Sequence, residues 1–394
     1  MTSDEQPTIV AHDLSSSHSQ DAVQQNPDLK STSRRSSLPI YTSITQFDSL
    51  QRLSSHGTCK VFRGVCRATG LRVAIKRFEK RSVSAKEAVH IAREVYLMGI
   101  LKGEENIIQI YGFFEDPAFA YVVMELCSGM DLYQRLVSAK RFDESYVARK
   151  VVYPLLKALD RLHNKHQVVH RDIKPENILL TATGDIKLAD FGSAIKKDTE
   201  VPFLPVGTLD FMAPEVLCNT PPRGAVESPC ATPEMLQLAG LMPYNEKVDI
   251  WSLGVLTFEL VMGKPPFYHQ DPLETKRLIR STHPPWELHF PKQWRNSPLA
   301  SFLRAALTKD PKSRPSAAQL LNHEWIVTHV VSAGTYHLHV DATGRALGES
   351  LTIALKHKLD LKRGSTVPAR PASTPHTPAG RWLGKLHSGF GHIG

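Results

Sequence analysis

The stretch HRDIKPEN, residues 170–177, places an aspartate, a lysine and an asparagine close together in the chain. The triplet DFG follows at 190–192, the tetrapeptide VAIK precedes both at 73–76, and APE comes after them at 213–215. Each of these short motifs alone could arise by chance. In this order and at these spacings, the four together are specific for one fold and one chemistry.

The side chains in these motifs match the requirements of phosphoryl transfer. Moving a γ-phosphoryl group needs positive charge near the triphosphate, metal ions held by carboxylate and amide oxygens, and a carboxylate that aligns the acceptor hydroxyl. The candidates for these tasks are Lys76, Asp172, Asn177 and Asp190. A lone buried lysine with a glutamate would indicate a structural ion pair, and a lone aspartate a helix cap. The complete set favours a phosphotransferase cleft that binds ATP.

Because of these motifs, the chain resembles the eukaryotic protein kinase family over roughly residues 46–326. The resemblance implies an α+β, bilobal protein kinase fold. Its small β-rich N-lobe, about residues 46–126, would contain one main helix, and its larger C-lobe, about residues 127–326, would be mostly helical. Lys174 and GTLDFMAPE (207–215) resemble the serine/threonine branch, and within it the calcium/calmodulin-dependent and Aurora-like groups. The implied reaction transfers the γ-phosphoryl of Mg-ATP to a serine or threonine hydroxyl of a protein substrate.

The resemblance also implies a role for each matching catalytic residue. Lys76 would pair with the α- and β-phosphates, and Glu94 would hold that lysine in place. Asp172 would accept or orient the proton of the substrate hydroxyl. Lys174 would neutralise the transferring phosphoryl group. Asp249 and the pair of Glu215 with Arg314 would have structural roles.

The metal and nucleotide sites follow from the same resemblance. Asn177 and Asp190 would hold Mg²⁺. The residues expected to line the ATP site come from both lobes and from the segment between them: Leu53, Gly57, Thr58, Cys59, Val61, Ala74, Lys76, Met124, Glu125, Cys127, Asp131, Leu179 and Asp190.

Hydrophobic periodicity supports a strand-rich first part and a helical second part. Residues 60–78 and 107–126 each predict two strands, the first pair joined by a turn at Thr69-Gly70. Residues 84–102 and 143–165 space their apolar side chains as amphipathic helices do. NEKVDIWSLGVLTFELVMG (245–263) is apolar around most of its circumference, which predicts a buried helix.

The loop ahead of VAIK departs from the family pattern. In LSSHGTCKV (53–61), Ser54, His56 and Cys59 stand at the three positions where the family has glycine. Gly57 is displaced by one residue to the apex of the hairpin, where a tight turn most needs a positive φ. A β-carbon at position 56 or 59 would either hold the loop away from the nucleotide or point outward.

Two interpretations of the function of this loop remain open. Each lost hydrogen bond to a charged phosphate costs about 1.5–3 kcal/mol at most, so ATP affinity could fall tenfold or more. The charged residues that perform the chemistry are still present, which favours a weakened but active kinase. The alternative is a pseudokinase that acts as a scaffold or allosteric regulator.

The segment between DFG and APE leaves its regulation open. Arg171 resembles the arginine that binds a phosphorylated residue of this segment in related kinases. The usual acceptor position, three residues before Gly207, is occupied by Leu204, and Thr199 is the nearest candidate. Either Thr199 serves in its place, or packing of Phe203 and Leu204 orders the segment without phosphorylation.

Glu176 and Glu259 match positions that bind arginine ahead of the acceptor in some relatives, which favours a basic peptide substrate. The net charge of +9 is moderate, so no nucleic acid partner is expected. The five cysteines form no CxxC pair, and no apolar run is long enough for a transmembrane segment. A soluble cytoplasmic or nuclear protein is therefore expected, and the sequence leaves its oligomeric state open.

Three segments fall outside this pattern. Residues 1–45 predict a disordered arm, and 218–243 predict an exposed loop insertion rich in Pro, Gly, Ser and Thr. Residues 327–394 predict a basic, largely disordered tail. Within it, a possible helix at 346–362 would either dock on the domain or act as a regulatory or membrane-surface helix.

Overall fold

A computed structural model describes residues 40–127, 129–221, 225, 231–281 and 290–336. In this part of the chain, the N-lobe is built on an antiparallel five-stranded sheet in the order β1-β2-β3-β5-β4. Its elements are β1 (Phe47–His56), β2 (Cys59–Cys66), β3 (Arg72–Glu79), α1 (Ala85–Ile100), β4 (Ile110–Glu115) and β5 (Phe119–Glu125). Strands β2 to β5 and the single main helix are those that the periodicity predicts, whereas β1 was not predicted from it.

The two faces of this sheet bury different side chains, as the alternation along a strand requires. Val73 and Ile75 of β3 pack on an outer cluster, whereas Ala74 and Phe78 face the main core. Tyr41 belongs to the outer cluster and is only 4% exposed. Packed structure therefore begins before residue 46, and the predicted arm of residues 1–45 is too long at its end.

Helix α1 begins with a capping box between Ser84 and Glu87. Ile91, Met98 and Leu101 are buried on the face predicted from their spacing. This packing fixes the position of Glu94, which projects from the same helix and is also buried.

The described C-lobe is mostly helical. The long predicted helix runs without interruption through Glu144–Tyr146, Val147–Val152, Tyr153–Asp160 and Arg161–Lys165, and is called α3. Its second and fourth segments are π-helical. The other helices are α2 (Leu132–Ala139), α4 (Pro233–Leu238), α5 (Lys247–Met262), α6 (Pro272–Arg280), α7 (Pro298–Ala306), α8 (Ala317–Leu321) and α9 (Glu324–Tyr336). Short strands β6 (Val168–Val169), β7 (Ile178–Leu180), β8 (Ile186–Leu188) and β9 (Ile195–Lys196) form two-stranded pairs, β6 with β9 and β7 with β8.

Helix α5 is buried along nearly its whole length, as its apolar circumference predicts. It approaches α7 closely at Gly254, where an added β-carbon would lie 2.9 Å from Ala306. No helix in the described ranges is both long and apolar enough to cross a lipid bilayer.

The predicted tail begins too early at residue 327, because α9 continues to Tyr336. Trp325 and Ile326 are each 1% exposed, and the Trp325 indole donates a hydrogen bond to Glu144 Oε1 at 2.7 Å. Val330 packs on the same core. The possible helix at 346–362 lies outside the described residues.

The predicted loop insertion of 218–243 contains helix α4, so it is not entirely loop. Thr232 caps this helix by accepting the Met235 amide hydrogen. Leu236 and Leu241 are buried against Phe203. The hydrophobic periodicity of such a short segment is too weak to predict a helix. The burial of the helix depends on contacts with a segment far away along the chain.

Candidate active site

The catalytic loop, residues 170–177, is held by one buried carboxylate beneath it. Asp249 of α5 accepts hydrogen bonds from the His170 amide at 2.9 Å, the Arg171 amide at 2.8 Å and His163 Nε2 at 2.8 Å. Burial alone would raise the pKa of Asp249, but the bonds from His163 and His170 hold it below its usual value. The bonded loop keeps Arg171 at φ 69°, a strained conformation for a residue other than glycine.

Asp172 lies at the centre of a network of donors. Its Oδ1 accepts from the Thr208 amide and from the Thr208 hydroxyl, both at 3.0 Å. Its Oδ2 accepts from Asn177 Nδ2 at 3.0 Å and lies 2.9 Å from Lys174 Nζ. Lys174 also donates to the Thr208 hydroxyl at 2.8 Å. The carboxylate is therefore fixed in position before any substrate binds.

Gly207 brings Thr208 to this network, and its role was not evident from the sequence. Its φ is 103°, and an added β-carbon would lie 2.4 Å from the carbonyl oxygen of Arg171. Only glycine permits this approach without displacing backbone. A glycine immediately before a threonine is a weak signal in the sequence, because the clash involves Arg171, which is far away along the chain.

The N-lobe supplies a lysine with two acidic neighbours. Lys76 of β3 forms an ion pair with Glu94 of α1, and its Nζ lies 3.7 Å from Asp190 Oδ1. Burial by itself would lower the pKa of Lys76, but the charges of Glu94 and Asp190 raise it above its usual value. The Lys76 ammonium in turn lowers the pKa of Asp190. Both groups are therefore charged at neutral pH.

The donor set fits a magnesium ion that is shared with a nucleotide. The Asp190 side chain is half exposed to the cleft. Asn177 uses Nδ2 to bond the Asp172 carbonyl at 2.8 Å, so its Oδ1 is the atom that could coordinate a metal ion. In the described ranges there is no group of three or more His, Cys, Asp or Glu side chains that could hold a metal. Mg²⁺ takes few protein ligands and completes its shell with phosphates and water.

Val61, Ala74, Lys76 and Met124, four of the predicted nucleotide-lining residues, lie on one face of the N-lobe sheet. Val61 is paired with Lys76 across β2 and β3, and Ala74 is paired with Met124 across β3 and β5. Ala74 and Met124 are buried. Leu179 of β7 belongs to the C-lobe, where it pairs with Asp131 by an isolated β-bridge.

The side chains of other residues predicted to line the ATP site make contacts elsewhere in the protein or are exposed. The Glu125 side chain lies 3.2 Å from Lys187 Nζ and accepts the Gln109 amide hydrogen, so this side chain is already engaged within the protein. Asp131 caps α2 by accepting from Gln134 N at 2.7 Å. Cys127 is partly buried against the core, and Leu53 is 50% exposed.

The glycine-poor loop forms a hairpin. His56 pairs with Cys59 in the register of β1 and β2, which leaves Gly57 and Thr58 as the two loop residues. Gly57 has φ 52°, and no positive φ occurs at Thr58, the pattern of a type II′ turn. The Thr58 hydroxyl donates to Glu87 of α1 at 3.4 Å.

Cys59 turns its side chain inward, toward the cleft. It packs on the main core and lies close enough to Lys76, Glu94 and Asp190 to interact with their charges. Burial raises the pKa of its thiol to about 11, so it is protonated and unreactive at neutral pH. Of the two orientations that the sequence allowed, the structure has the inward one.

Comparison with known proteins identifies the family. The family model of the protein kinase domain matches residues 47–326. The chain belongs to the protein kinase family.

Similar kinases fall in more than one group. The chain is 35% identical to Aurora kinase of Schizosaccharomyces pombe over 68% of this chain and 68% of that protein. It is 32% identical to mouse Aurora kinase C over 65% of this chain and 83% of that protein. It is also 34% identical to the Drosophila melanogaster serine/threonine-protein kinase PAK mbt over 71% of this chain but only 39% of that longer protein. The kinase is therefore a serine/threonine protein kinase, and the predicted branch and bilobal fold are confirmed.

The kinase also has a buried carboxylate on helix α5. Glu259 is 7% exposed, and its Oε2 has no hydrogen-bond partner among the described atoms. Burial, together with the negative charges of Glu176 and Asp210, raises the pKa of Glu259 to about 7. An unpaired carboxylate in such surroundings is costly for the fold, which makes it a candidate for binding a cation.

Proposed function

We propose that this kinase is catalytically active and transfers the γ-phosphoryl group of Mg-ATP to serine or threonine residues in basic peptide segments. The observation that supports this most strongly is the placement of Asp172. Its carboxylate is oriented by Thr208, Lys174 and Asn177, at distances of 2.9–3.0 Å. A carboxylate oriented in this way could align the substrate hydroxyl and accept its proton.

The proposed reaction follows from these positions. The acceptor hydroxyl oxygen forms a bond to the γ-phosphorus as the bond from phosphorus to the leaving ADP oxygen breaks. Asp172 receives the proton of the hydroxyl, and Lys174 stabilises the charge on the transferring oxygens. Lys76 holds the α- and β-phosphates. Magnesium, held by Asn177 and Asp190, would neutralise charge on the β- and γ-phosphates.

The glycine-poor loop is proposed to weaken ATP binding without abolishing it. The hairpin forms, so the Gly57 and Thr58 amides remain available at its tip. The inward Cys59 side chain occupies space beside Lys76 that a glycine would leave open. The alternative is a pseudokinase with the same fold. The active kinase would turn over ATP, whereas the pseudokinase would not.

A direct test combines turnover with nucleotide binding. The full chain is incubated with radiolabelled Mg-ATP and a library of serine and threonine peptides, and ATP affinity is measured separately by calorimetry. Stoichiometric binding with transfer that stops when magnesium is chelated would support an active kinase. Binding without transfer to any peptide would support the pseudokinase, and the absence of binding at millimolar Mg-ATP would reject the active kinase.

Cys59→Gly is expected to strengthen ATP binding. Removing the inward side chain lets the loop approach the phosphates, and one regained hydrogen bond to a charged phosphate, about 1.5–3 kcal/mol at most, would lower the KM for ATP by about tenfold or more. The measurement is the KM for ATP at saturating peptide. Ser55→Gly, at the exposed neighbouring position, introduces similar flexibility without opening the cleft and should leave this KM unchanged. Equal KM values for Cys59→Gly and the wild type would contradict the steric role of Cys59.

Glu259 is expected to make peptide binding depend on pH. Since its pKa is about 7 in the free protein, the carboxyl is neutral at pH 6 and charged at pH 8, so the KM for an arginine-containing peptide should fall as the pH rises. In Glu259→Gln, this KM should be about tenfold higher at pH 8 and independent of pH. A peptide with alanine in place of arginine should show no such change with either protein.

The same substitution has an opposite effect on stability. A rise of the pKa from 4.5 to about 7 costs the fold at most about 3 kcal/mol, and this cost develops between these pH values and is complete above pH 7. Glu259→Gln should therefore be more stable than the wild type at pH 8 and equally stable at pH 4.5. A loss of stability at pH 8 would mean that Glu259 has a structural role.

A further inference from the structure

The activation segment, residues 190–215, is held at several points by the rest of the kinase. Near its middle, Glu200 forms an ion pair with Arg93 of α1, the residue next to Glu94. Both side chains are largely buried, with 16% and 14% exposed. The segment is therefore linked directly to the helix that positions Lys76.

The second contact is made by the hydroxyl group of Tyr244 and not by a charged side chain of the segment. Tyr244 donates a hydrogen bond to the Leu204 carbonyl at 2.6 Å and accepts one from Arg171 Nη1 at 3.0 Å. Arg171 also donates Nε to the Ser193 carbonyl at 2.7 Å. The tyrosine thus bridges the catalytic loop to the activation segment, and Arg171 is only 6% exposed.

The insertion of residues 218–243 provides a third contact. Asn219 is buried, and its Nδ2 donates to the Phe203 carbonyl at 2.8 Å and to the Met242 carbonyl at 2.7 Å. Its Oδ1 accepts from the Met242 amide at 2.7 Å. Asn219 therefore joins the two ends of the insertion to the activation segment, while Leu236 and Leu241 cover the Phe203 ring.

These contacts do not involve a phosphorylatable side chain of the segment. Thr199 is exposed, and its hydroxyl donates to the Lys196 carbonyl at 3.0 Å. A phosphate brings a charge of about −1.5 to −2 that seeks arginine partners. Arg93 already has a carboxylate partner, and Arg171 is bonded to Tyr244 and Ser193.

We propose that Glu200, Tyr244 and the insertion anchored by Asn219 act as positioning groups that order the activation segment without phosphorylation. The ordered segment places Gly207 and Thr208 against Asp172. The activity part of the test rests on the proposed function. The backbone order of the segment is measured independently of that function.

The test uses the full chain, treated with phosphatase and shown by mass spectrometry to lack phosphate. Hydrogen exchange of residues 198–206 is measured together with kcat, the peptide KM and ATP affinity. The phosphate-free wild type should retain full activity and a protected segment, and Thr199→Ala should match it within twofold. Tyr244→Phe should lower kcat/KM for peptide about tenfold and expose the segment to exchange while ATP affinity stays unchanged.

Matched variants separate positioning from general damage. Tyr268→Phe, at an exposed tyrosine, should behave as the wild type. Glu200→Gln provides a second test at a less buried site and should shift exchange and kcat/KM in the same direction as Tyr244→Phe. If Tyr244→Phe does not fold, the result for Glu200→Gln decides.

The results of these experiments distinguish failure of this inference from failure of the proposed function. A wild type that binds Mg-ATP without turnover, yet loses segment protection in Tyr244→Phe, would reject the activity and support the positioning groups. Loss of activity or protection by more than tenfold on removal of phosphate would overturn the inference. So would Tyr244→Phe and Glu200→Gln proteins whose exchange and kcat/KM match the wild type.

Discussion

Replacing Asp172 with asparagine should nearly abolish phosphoryl transfer, lowering kcat by about 10²- to 10⁴-fold, the usual contribution of a general base. The amide cannot accept the hydroxyl proton. It also places a donor where Lys174 and Asn177 already donate, because Asp172 Oδ2 faces both of them. The measurement is single-turnover transfer from Mg-ATP to the best library peptide.

ATP affinity and folding provide the controls for Asp172→Asn. The nucleotide phosphates are expected to contact Lys76 and the metal ligands, so the affinity for Mg-ATP should stay within about threefold of the wild type. Asp185→Asn, at an exposed turn between β7 and β8, should leave kcat unchanged. If Asp172→Asn retained more than a tenth of the wild-type rate, the proposed role of Asp172 would be wrong.

Replacing Arg314 with alanine should have the largest effect on stability, about 3–5 kcal/mol in the free energy of unfolding. Arg314 is 1% exposed and forms a two-pronged pair with Glu215, with Nη1–Oε1 at 2.7 Å and Nη2–Oε2 at 3.0 Å. Its other hydrogen bonds go to the carbonyls of Thr308, Lys247 and Lys309. Removing the guanidinium leaves a carboxylate and several carbonyls without their donor.

Denaturant unfolding at neutral pH would measure this loss. Arg277→Ala removes an arginine from an exposed pair with Glu274 and should change the unfolding midpoint very little. Replacing both members, Arg314→Met with Glu215→Leu, removes the isolated buried charge and should recover part of the stability. A loss below 1 kcal/mol for Arg314→Ala, or no recovery in the double variant, would contradict this account.

The residues predicted for the core of the cleft lie in short motifs, which can be read directly from the sequence. Lys76, Glu94 and Asp190 come together around one ion pair, and Asp172 and Asn177 share hydrogen bonds. The turn at Gly70, with φ 70°, was also predictable, since positive φ is a local preference of glycine.

Predictions at the edges of the elements were less accurate. The arm was predicted to end too late and the tail to begin too early, because Tyr41 and Val330 are held by packing against distant side chains. The insertion was predicted as loop for a similar reason, since α4 is stabilised by burial of Leu236 against Phe203. Local composition contains no information about such partners.

By itself, the sequence determined which chemical groups this kinase has and the order in which the chain presents them, because motif spacing and hydrophobic periodicity are local properties. Only the tertiary structure decided how those groups are restrained: Gly207 against the Arg171 carbonyl, Cys59 turned inward, and Tyr244 between Arg171 and Leu204. The physical reason is that hydrogen bonds and steric contacts act over a few ångströms in space. Folding alone brings such groups together from distant parts of the chain.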